Sequence, residues 1–402
     1  MITGLVCAVC STEVPIAEPF TWRCPSAGSD DHLLEFVDDG AAHDDDPTST
    51  NPFVRYRRRM AWWALARANG MDDEATVDLA EEVTGDFRMT PLVRHEGISS
   101  AIGSEVWTKD ETGGVAGSHK ARHLASIMLH LRVAEELGLL GHRPPLAISS
   151  CGNAALAAAT LAARERWPIR VFVPTWMDDA FGAGLDALGA EVNRCARPSE
   201  GASGDPAMAG FRAAVAAGAV PFSVQGPANA WCLDGGRTIG WEIAEQCRSS
   251  GLDPVAVYVQ VGGGAFATCL GTGLDDLVPL VAVQAEGCAP LAAALERATR
   301  FDRPERHWSE VMVPWDDPVS LADGILDDET YDWIGVRRAV LVSGGRTVVA
   351  PESMVVAAHD LLAGVGPPTS PTGTAGVAGL LTEAAVGPVA GPVVVVLSGV
   401  ER

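Results

Sequence analysis

From about residue 90 onward, short continuous apolar runs alternate with stretches of helical period. PLAISS leads into CGNAALAAATLAARE, and IRVFVP leads into DDAFGAGLDALGA. VAVYVQVGGG leads into AFATCLGTGL, LVAVQAEG follows, and PVVVVLSG closes the chain. Such runs predict strands buried on both faces, and their alternation with helices predicts an α/β fold with open, mostly parallel sheets. In sheets of that kind ligands bind outside the carboxyl ends of the strands. Three loops that directly follow runs are therefore the places to look for a site: SSCGN, VGGGAFAT and LSG. A further helix is predicted after ETGGVAGSHKARH (111–123). There Leu124, Ile127, Met128, Leu131 and Ala134 recur at the i, i+3, i+4, i+7 spacing of one apolar face. Ser118 is a favourable N-cap for it. Lys120 then falls in the first turn, where the helix dipole disfavours a cation.

The amino-terminal part is patterned differently. Residues 1–36 carry Cys7 and Cys10 as CAVC, and Cys24 in WRCPSAGSDDH. Two CxxC knuckles would make a zinc ribbon. Ala27 stands where the second knuckle needs its second cysteine. Cys7, Cys10 and Cys24 leave the fourth ligand to His32, to an aspartate or to nothing, and the expectation is a ribbon-like flap without metal. DDGAAHDDDPTSTNP (38–52) reads as an acidic linker. RRRMAWWALARANG predicts a helix ending at Gly70, the pattern breaks at Pro91, and EVWTKDE alternates as a short strand.

Length and charge narrow the partners. The 402 residues are enough for two lobes of ordinary size. A formal charge of −23 argues against nucleic acid and against anionic membranes. No apolar run reaches the ~20 residues of a membrane span, and the start lacks the features of a signal peptide. The nine cysteines do not suggest a disulfide framework, so the expected location is cytoplasmic.

The triple glycine in VQVGGGAFATCLG (259–271) admits several ligands. Bare N–H groups at a helix start bind phosphate. Gly262-x-Gly264-x-x-Ala267 fits a dinucleotide fingerprint, with Glu286 at the end of the next strand for the ribose. That reading, an NAD-dependent oxidoreductase, leaves Lys120 unexplained. A tight turn without ligand is the bland alternative. The third reading is one phosphate on a small cofactor.

Lys120 favours the small cofactor. Pyridoxal 5′-phosphate needs a lysine for its Schiff base, a phosphate cradle, a partner for O3′ and a partner for its pyridine nitrogen. A helix N-terminus lowers the pKa of Lys120 and so favours its nucleophilic form. Gly262, Gly263 and Gly264, followed by Ala265 and Phe266, can hold the phosphate. Asn153 can donate to O3′. Ser149, Ser150, Cys151, Gly152 and Asn153, at the next helix start, suit a substrate carboxylate. Ser398 can meet the pyridine nitrogen. Each also has an ordinary reading, as a solvated lysine, a capping asparagine or a strand-end hydroxyl.

Taken in order, these motifs resemble the fold-type II pyridoxal-phosphate enzymes, the group of threonine synthase and serine/threonine dehydratase in the tryptophan synthase beta superfamily. MTPL is similar to the family's T-P-L, and KDETGGVAGSHKARH to its K-x-E…T-G-S-F-K-x-R segment. SSCGNAA is similar to S-S-x-G-N, and DGGRTIGWEIAEQ to E-G-x-x-T-I-x-x-E-I. VGGGAFAT, LADGI and LSG match later stretches. The resemblance implies two open αβα domains with the active site between them. They would be a large domain of residues 51–115 and 231–402 and a small one of 116–230, preceded by an extension over 1–50. It also implies pyridoxal 5′-phosphate on Lys120, a small amino-acid substrate and a homodimer. The implied reaction is β-elimination or β-replacement on a threonine- or serine-like substrate, with freed Lys120 removing the α-proton. Threonine synthase-type γ-replacement on O-phosphohomoserine is the alternative, and a non-catalytic binding protein would keep the same fold. Five positions depart from the family: His119 replaces Phe, Ala121 stands where threonine synthases carry Asp, Gly236 and Arg237 replace a small polar pair, and Phe266 adjoins the glycines. His119 could titrate in the reaction or be a packed ring.

Overall fold

The apolar runs assemble into two sheets. The larger has the strand order Arg346–Ala350, Leu280–Ala285, Ala256–Gln260, Val393–Leu397, Val106–Asp110, Leu92–Arg94. All neighbours are parallel except the last pair. Its central strand, Val393–Leu397, is buried on both faces, which is what five consecutive apolar residues require. The smaller sheet is fully parallel, in the order Glu191–Cys195, Ile169–Pro174, Leu146–Ser149, Val220–Pro221. The edge strands Glu191–Cys195 and Arg346–Ala350 carry polar residues and were not legible as apolar runs. This computed structural model describes all residues except 30, 42, 197–204, 275–277, 365 and 402. Part of the acidic linker and of the stretch assigned to the small domain therefore lies outside the description.

The helix Lys120–Glu136 runs through the interior rather than along it. Leu124, Ile127, Met128, Leu131 and Ala134 are buried, but so are Arg122, His123, Ser126, His130 and Arg132 on its other faces. The apolar stripe is only the part of the buried surface that periodicity reveals. Ser118 is not its N-cap: that position belongs to His119, without a side-chain capping bond. Ser118 is extended (φ −164°, ψ 163°) because it bridges to Gly399, while the Val400 N–H donates to the Gly117 carbonyl at 2.9 Å. Tied to the end of the central strand, it cannot turn its hydroxyl back onto the helix.

The helix Cys232–Ser250 lies against this one at backbone distance. A Cβ on Gly235 would stand 2.0 Å from the Arg122 carbonyl oxygen, and one on Gly236 2.4 Å from His123 Cε1. Both values are below any real contact, so Gly236 is required by packing. Arg237 turns away, pairs with Asp234, and covers the rings of Phe36 and Trp241.

The acidic segment is more than a linker. Asp44, Asp45 and Asp46 pair with Arg58, Arg59 and Arg57 of the following arginine run. Asn51 is buried, caps the turn at Pro52 and donates to Thr84. In front of it, Ile2–Cys7, Glu13–Pro15 and Leu34–Asp38 form a three-stranded antiparallel ribbon. No helix among the described residues is long and apolar enough to cross a membrane.

Candidate active site

The chain contains two lysines, and the fold treats them in opposite ways. Lys109 is fully buried in its strand. Its Nζ donates to Glu242 at 2.6 Å, to the Thr90 carbonyl at 2.7 Å and to Gln246 at 2.9 Å. All three ammonium protons are engaged. Lys120 begins its helix, and among the described residues its amine has no hydrogen-bond or ion-pair partner. Desolvation pushes its pKa down, against the opposing pull of Asp327, Cys232 and Asp332. A larger share of free amine is what attack on a carbonyl and proton abstraction need.

His119, next to Lys120, ties two of the predicted loops together. Its backbone N–H donates to the Ser398 carbonyl at 3.1 Å, and its ring Nδ1 lies 3.0 Å from the same oxygen. A carbonyl only accepts, so Nδ1 carries the proton and Nε2 is left as an acceptor. The ring stacks on Phe266 with centroids 4.0 Å apart. Burial drives its pKa well below the ordinary value, so the imidazole is neutral at physiological pH. Phe266 belongs to the first turn of Ala265–Gly273, directly after the glycine loop. On the other side, a Cβ on Gly399 would stand 3.0 Å from Asn153 Nδ2 and 3.1 Å from Ser118 Cβ. Lys120, Ser398, Asn153 and the glycine loop therefore converge.

The glycines are close-fitting. A Cβ on Gly262 would stand 2.6 Å from Asp327 Oδ2 and 2.9 Å from Ile325 Cα, and one on Gly264 (φ +95°) 2.8 Å from Thr330 Cγ2. The loop is held from behind: Thr330 Oγ1 donates to the Gly262 carbonyl and the Asp332 N–H to the Gly263 carbonyl. The first-turn N–H groups of Ala265–Gly273 have no helical acceptor. The SSCGN loop enters the helix Asn153–Glu165. Gly152 is its N-cap, the Ser150 N–H donates to the Phe172 carbonyl, Ser150 Oγ accepts from the Gly152 N–H, and Cys151 is exposed. Ser149 ends the strand before it.

Two acids that the sequence reading did not single out face Lys120. Asp327 is half-buried, sets its Oδ2 against the glycine loop, and is pushed up to about 6 by burial, with Lys120 opposing. Asp332 is buried, accepts from the Gly226 N–H at 3.1 Å, and is pushed up to about 7 by burial. Glu286, the ribose acid of the dinucleotide reading, is exposed instead and accepts from the Glu352 N–H at 2.7 Å, capping a helix. That reading loses its ribose partner.

These residues fit pyridoxal phosphate. The glycine cradle has no room for side chains and offers free N–H groups to a phosphate. Four buried polar atoms around Lys120 lack a protein partner among the described residues: Ser118 Oγ, His119 Nε2, Gln260 Oε1 and Asp332 Oδ1. Buried polar atoms are normally paired, so these four are available to pair with a polar ligand. Ser398 Oγ accepts from Gln260 Nε2, which leaves its own proton to donate.

The chain's relatives agree. A model of the family described as pyridoxal-phosphate dependent enzyme matches residues 83–399. Threonine synthase of Methanosarcina acetivorans is 27% identical over 315 residues, 75% of this chain and 71% of that protein. A serine dehydratase-like protein of Mus musculus is 28% identical over 233 residues, 56% of this chain and 66% of that one. Among solved structures, the T.th. threonine deaminase superposes with a TM-score of 0.64 at 23% identity, covering 81% of this chain and 97% of that one. The fold is that of the fold-type II pyridoxal-phosphate enzymes, and the match over most of its length shows that the chain belongs to the pyridoxal-phosphate dependent enzymes.

Proposed function

We propose that this enzyme is a lyase that carries out β-elimination, or β-replacement, on a small threonine- or serine-like L-amino acid. The observation that carries the reading is Ser398. Its hydroxyl is paired with the Gln260 amide rather than with a carboxylate. Pyridoxal phosphate, when bound, supplies a sink for charge that develops at the substrate α-carbon. A neutral hydroxyl at the pyridine nitrogen leaves that nitrogen largely unprotonated and the sink weak. Expulsion of a β-substituent as the α-proton leaves does not need a long-lived carbanion, whereas transamination does.

The remaining residues have matching tasks. The loop Ser149–Asn153, at the positive end of a thirteen-residue helix, suits the substrate carboxylate. Lys120 Nζ takes the α-proton. Asp332, which burial brings to about 7, exchanges a proton near neutral pH and suits a departing hydroxyl.

The threonine synthase likeness favours the second reading, γ-replacement on O-phosphohomoserine. That substrate brings a second phosphate and needs a cationic pocket for it. The acids Asp327 and Asp332 face Lys120 instead, and Arg122 is consumed by Glu111 and Glu242. Incubation with L-threonine, L-serine, their β-substituted analogues and O-phosphohomoserine separates the readings. Keto acid or a β-substituted product is expected. Phosphate release with threonine formation from O-phosphohomoserine alone would overturn the proposal. The reading includes a cytoplasmic homodimer. Sedimentation tests the oligomeric state.

Asp327 makes cofactor binding sensitive to pH. Its carboxylate stands against Gly262 and Gly263 of the phosphate cradle and repels a phosphate once ionised. Apoenzyme affinity for pyridoxal phosphate is expected to weaken as pH rises through about 6. Asp327→Asn should bind more tightly above that pH and flatten the dependence. Parallel pH profiles for the two proteins in an absorbance titration would refute the assignment.

A further inference from the structure

Three thiols and one imidazole converge at one end of the amino-terminal ribbon, away from the cofactor site. Cys7 ends the strand Ile2–Cys7, and the chain turns tightly through Cys10 with Ser11 in the left-handed region (φ 64°). The return strand Leu34–Asp38 pairs Leu34 with Cys7, which sets His32 alongside. Cys24 approaches from the loop between. The four ligand atoms all lie within 4.8 Å of one another. Cys7 Sγ is 3.2 Å from His32 Nδ1, and Cys10 Sγ is 3.5 Å from Cys24 Sγ. A tetrahedral zinc ion, with Zn–S of about 2.3 Å and Zn–N of about 2.0 Å, spaces its ligands about 3.5 to 3.8 Å apart. We propose that Cys7, Cys10, Cys24 and His32 form a structural zinc site.

The fold supplies the fourth ligand that the broken second knuckle leaves open. Four protein ligands leave no position for water, so the site is structural rather than catalytic. Thiolate and imidazole donors select zinc over magnesium or calcium. His32 Nε2 lies 4.0 Å from Asp31, beyond hydrogen-bond distance, so the carboxylate acts on the ring only through its charge. The ribbon also needs a staple. Its own core comprises Leu5, Cys7, Val14, Cys24 and Leu34, with Ala230 of the main body, too few apolar residues to hold three short strands. Two of those residues are ligands.

The ion also secures contacts next to the cofactor site. Leu33, adjoining His32, is fully buried, and a Cβ on Gly226 would stand 2.8 Å from its Cδ1. Gly226 in turn donates to Asp332. Trp22, two residues before Cys24, packs edge-on to Trp231, and the Ala230 N–H donates to its carbonyl at 2.7 Å. The metal therefore clamps the ribbon onto the segment that leads to Cys232 and Lys120.

Elemental analysis of the purified holoenzyme tests the site, alongside Cys10→Ser, Cys24→Ser and His32→Ala. One zinc per chain is expected in the parent and clearly less in every variant after dialysis against a mild chelator. Cys10 is exposed, so its replacement leaves the core closed and keeps the test valid if the buried Cys24→Ser fails to fold. Cobalt exchanged into the parent should show the red d–d bands of a tetrahedral site, clear of cofactor absorption. A parent free of zinc, with Cys10 and Cys24 either joined as a disulfide or titrating as free thiols, would overturn the proposal. So would full occupancy in His32→Ala.

Discussion

Lys120→Ala should fold, retain its sheets, and lose turnover by about 10⁴-fold, the upper end of what one positioned proton-transfer group contributes. The reason lies in how differently the two lysines are placed. Lys109 spends its three protons on Glu242, Thr90 and Gln246, so it can neither carry a cofactor nor accept a proton. Lys120 has no such partner, and burial lowers its pKa. Removing a desolvated amine relieves a cost, so the apo form of Lys120→Ala should be at least as stable as the parent. A conventional ion-paired lysine would give the opposite sign. Hydride reduction of the native holoenzyme should fix the cofactor on Lys120, and with two lysines in the chain the peptide assignment has a single rival. A label on Lys109, or turnover in Lys120→Ala within about tenfold of the parent, would remove the central element of the mechanism.

The strands and strand-end loops were legible because buried parallel strands are written as continuous apolar runs and their exits as small residues. Val393–Leu397 followed by Ser398, and Ala256–Gln260 followed after Val261 by three glycines, are such cases. Asp327 and Asp332 were not legible. They sit in LADGILDDETYDW, where acids crowd a segment without period, and nothing local separates an acid that turns toward Lys120 from one that faces solvent. His32 was open for a related reason: a ligand brought in by strand pairing has no fixed sequence spacing from Cys24. Ser118 was misplaced because its propensity to cap lost to a tertiary tether at Gly399.

The family-like motifs around Lys120 also had a meaning that resemblance alone did not supply. Thr90 of MTPL, Lys109 and Glu111 of KDE, Arg122 of HKAR, and Thr238 and Glu242 of TIGWE meet in one buried network. Lys109, Glu111, Arg122 and Glu242 are all nearly or fully buried, two cations against two anions. Their task is to fix the helix that carries Lys120, since Arg122 lies two residues beyond it. They are positioning residues.

Glu242 is the centre of that network, and Glu242→Ala should cost about 3–5 kcal/mol of folding stability, because it leaves Lys109 and Arg122 sharing one buried anion. Against a total of about 5–15 kcal/mol this approaches unfolding. Burial alone would push the Glu242 carboxyl up, but Arg122 and Lys109 outweigh it and hold the group below its usual range. The sign of the pH dependence follows. A depressed carboxyl pKa contributes stability that is complete above the unfolded value of about 4.3 and is lost on acidification below it. The parent should therefore lose stability in acid more steeply than Glu242→Ala. The double variant Glu242→Leu, Lys109→Met removes one charge of each sign and leaves Arg122 with Glu111. It should recover much of the loss, because apolar replacement of a whole buried pair is often neutral. Urea unfolding of the parent, the single and the double variant measures all three. A cost below about 1 kcal/mol for Glu242→Ala, the range of exposed pairs, would show that the network does not hold the Lys120 helix in place.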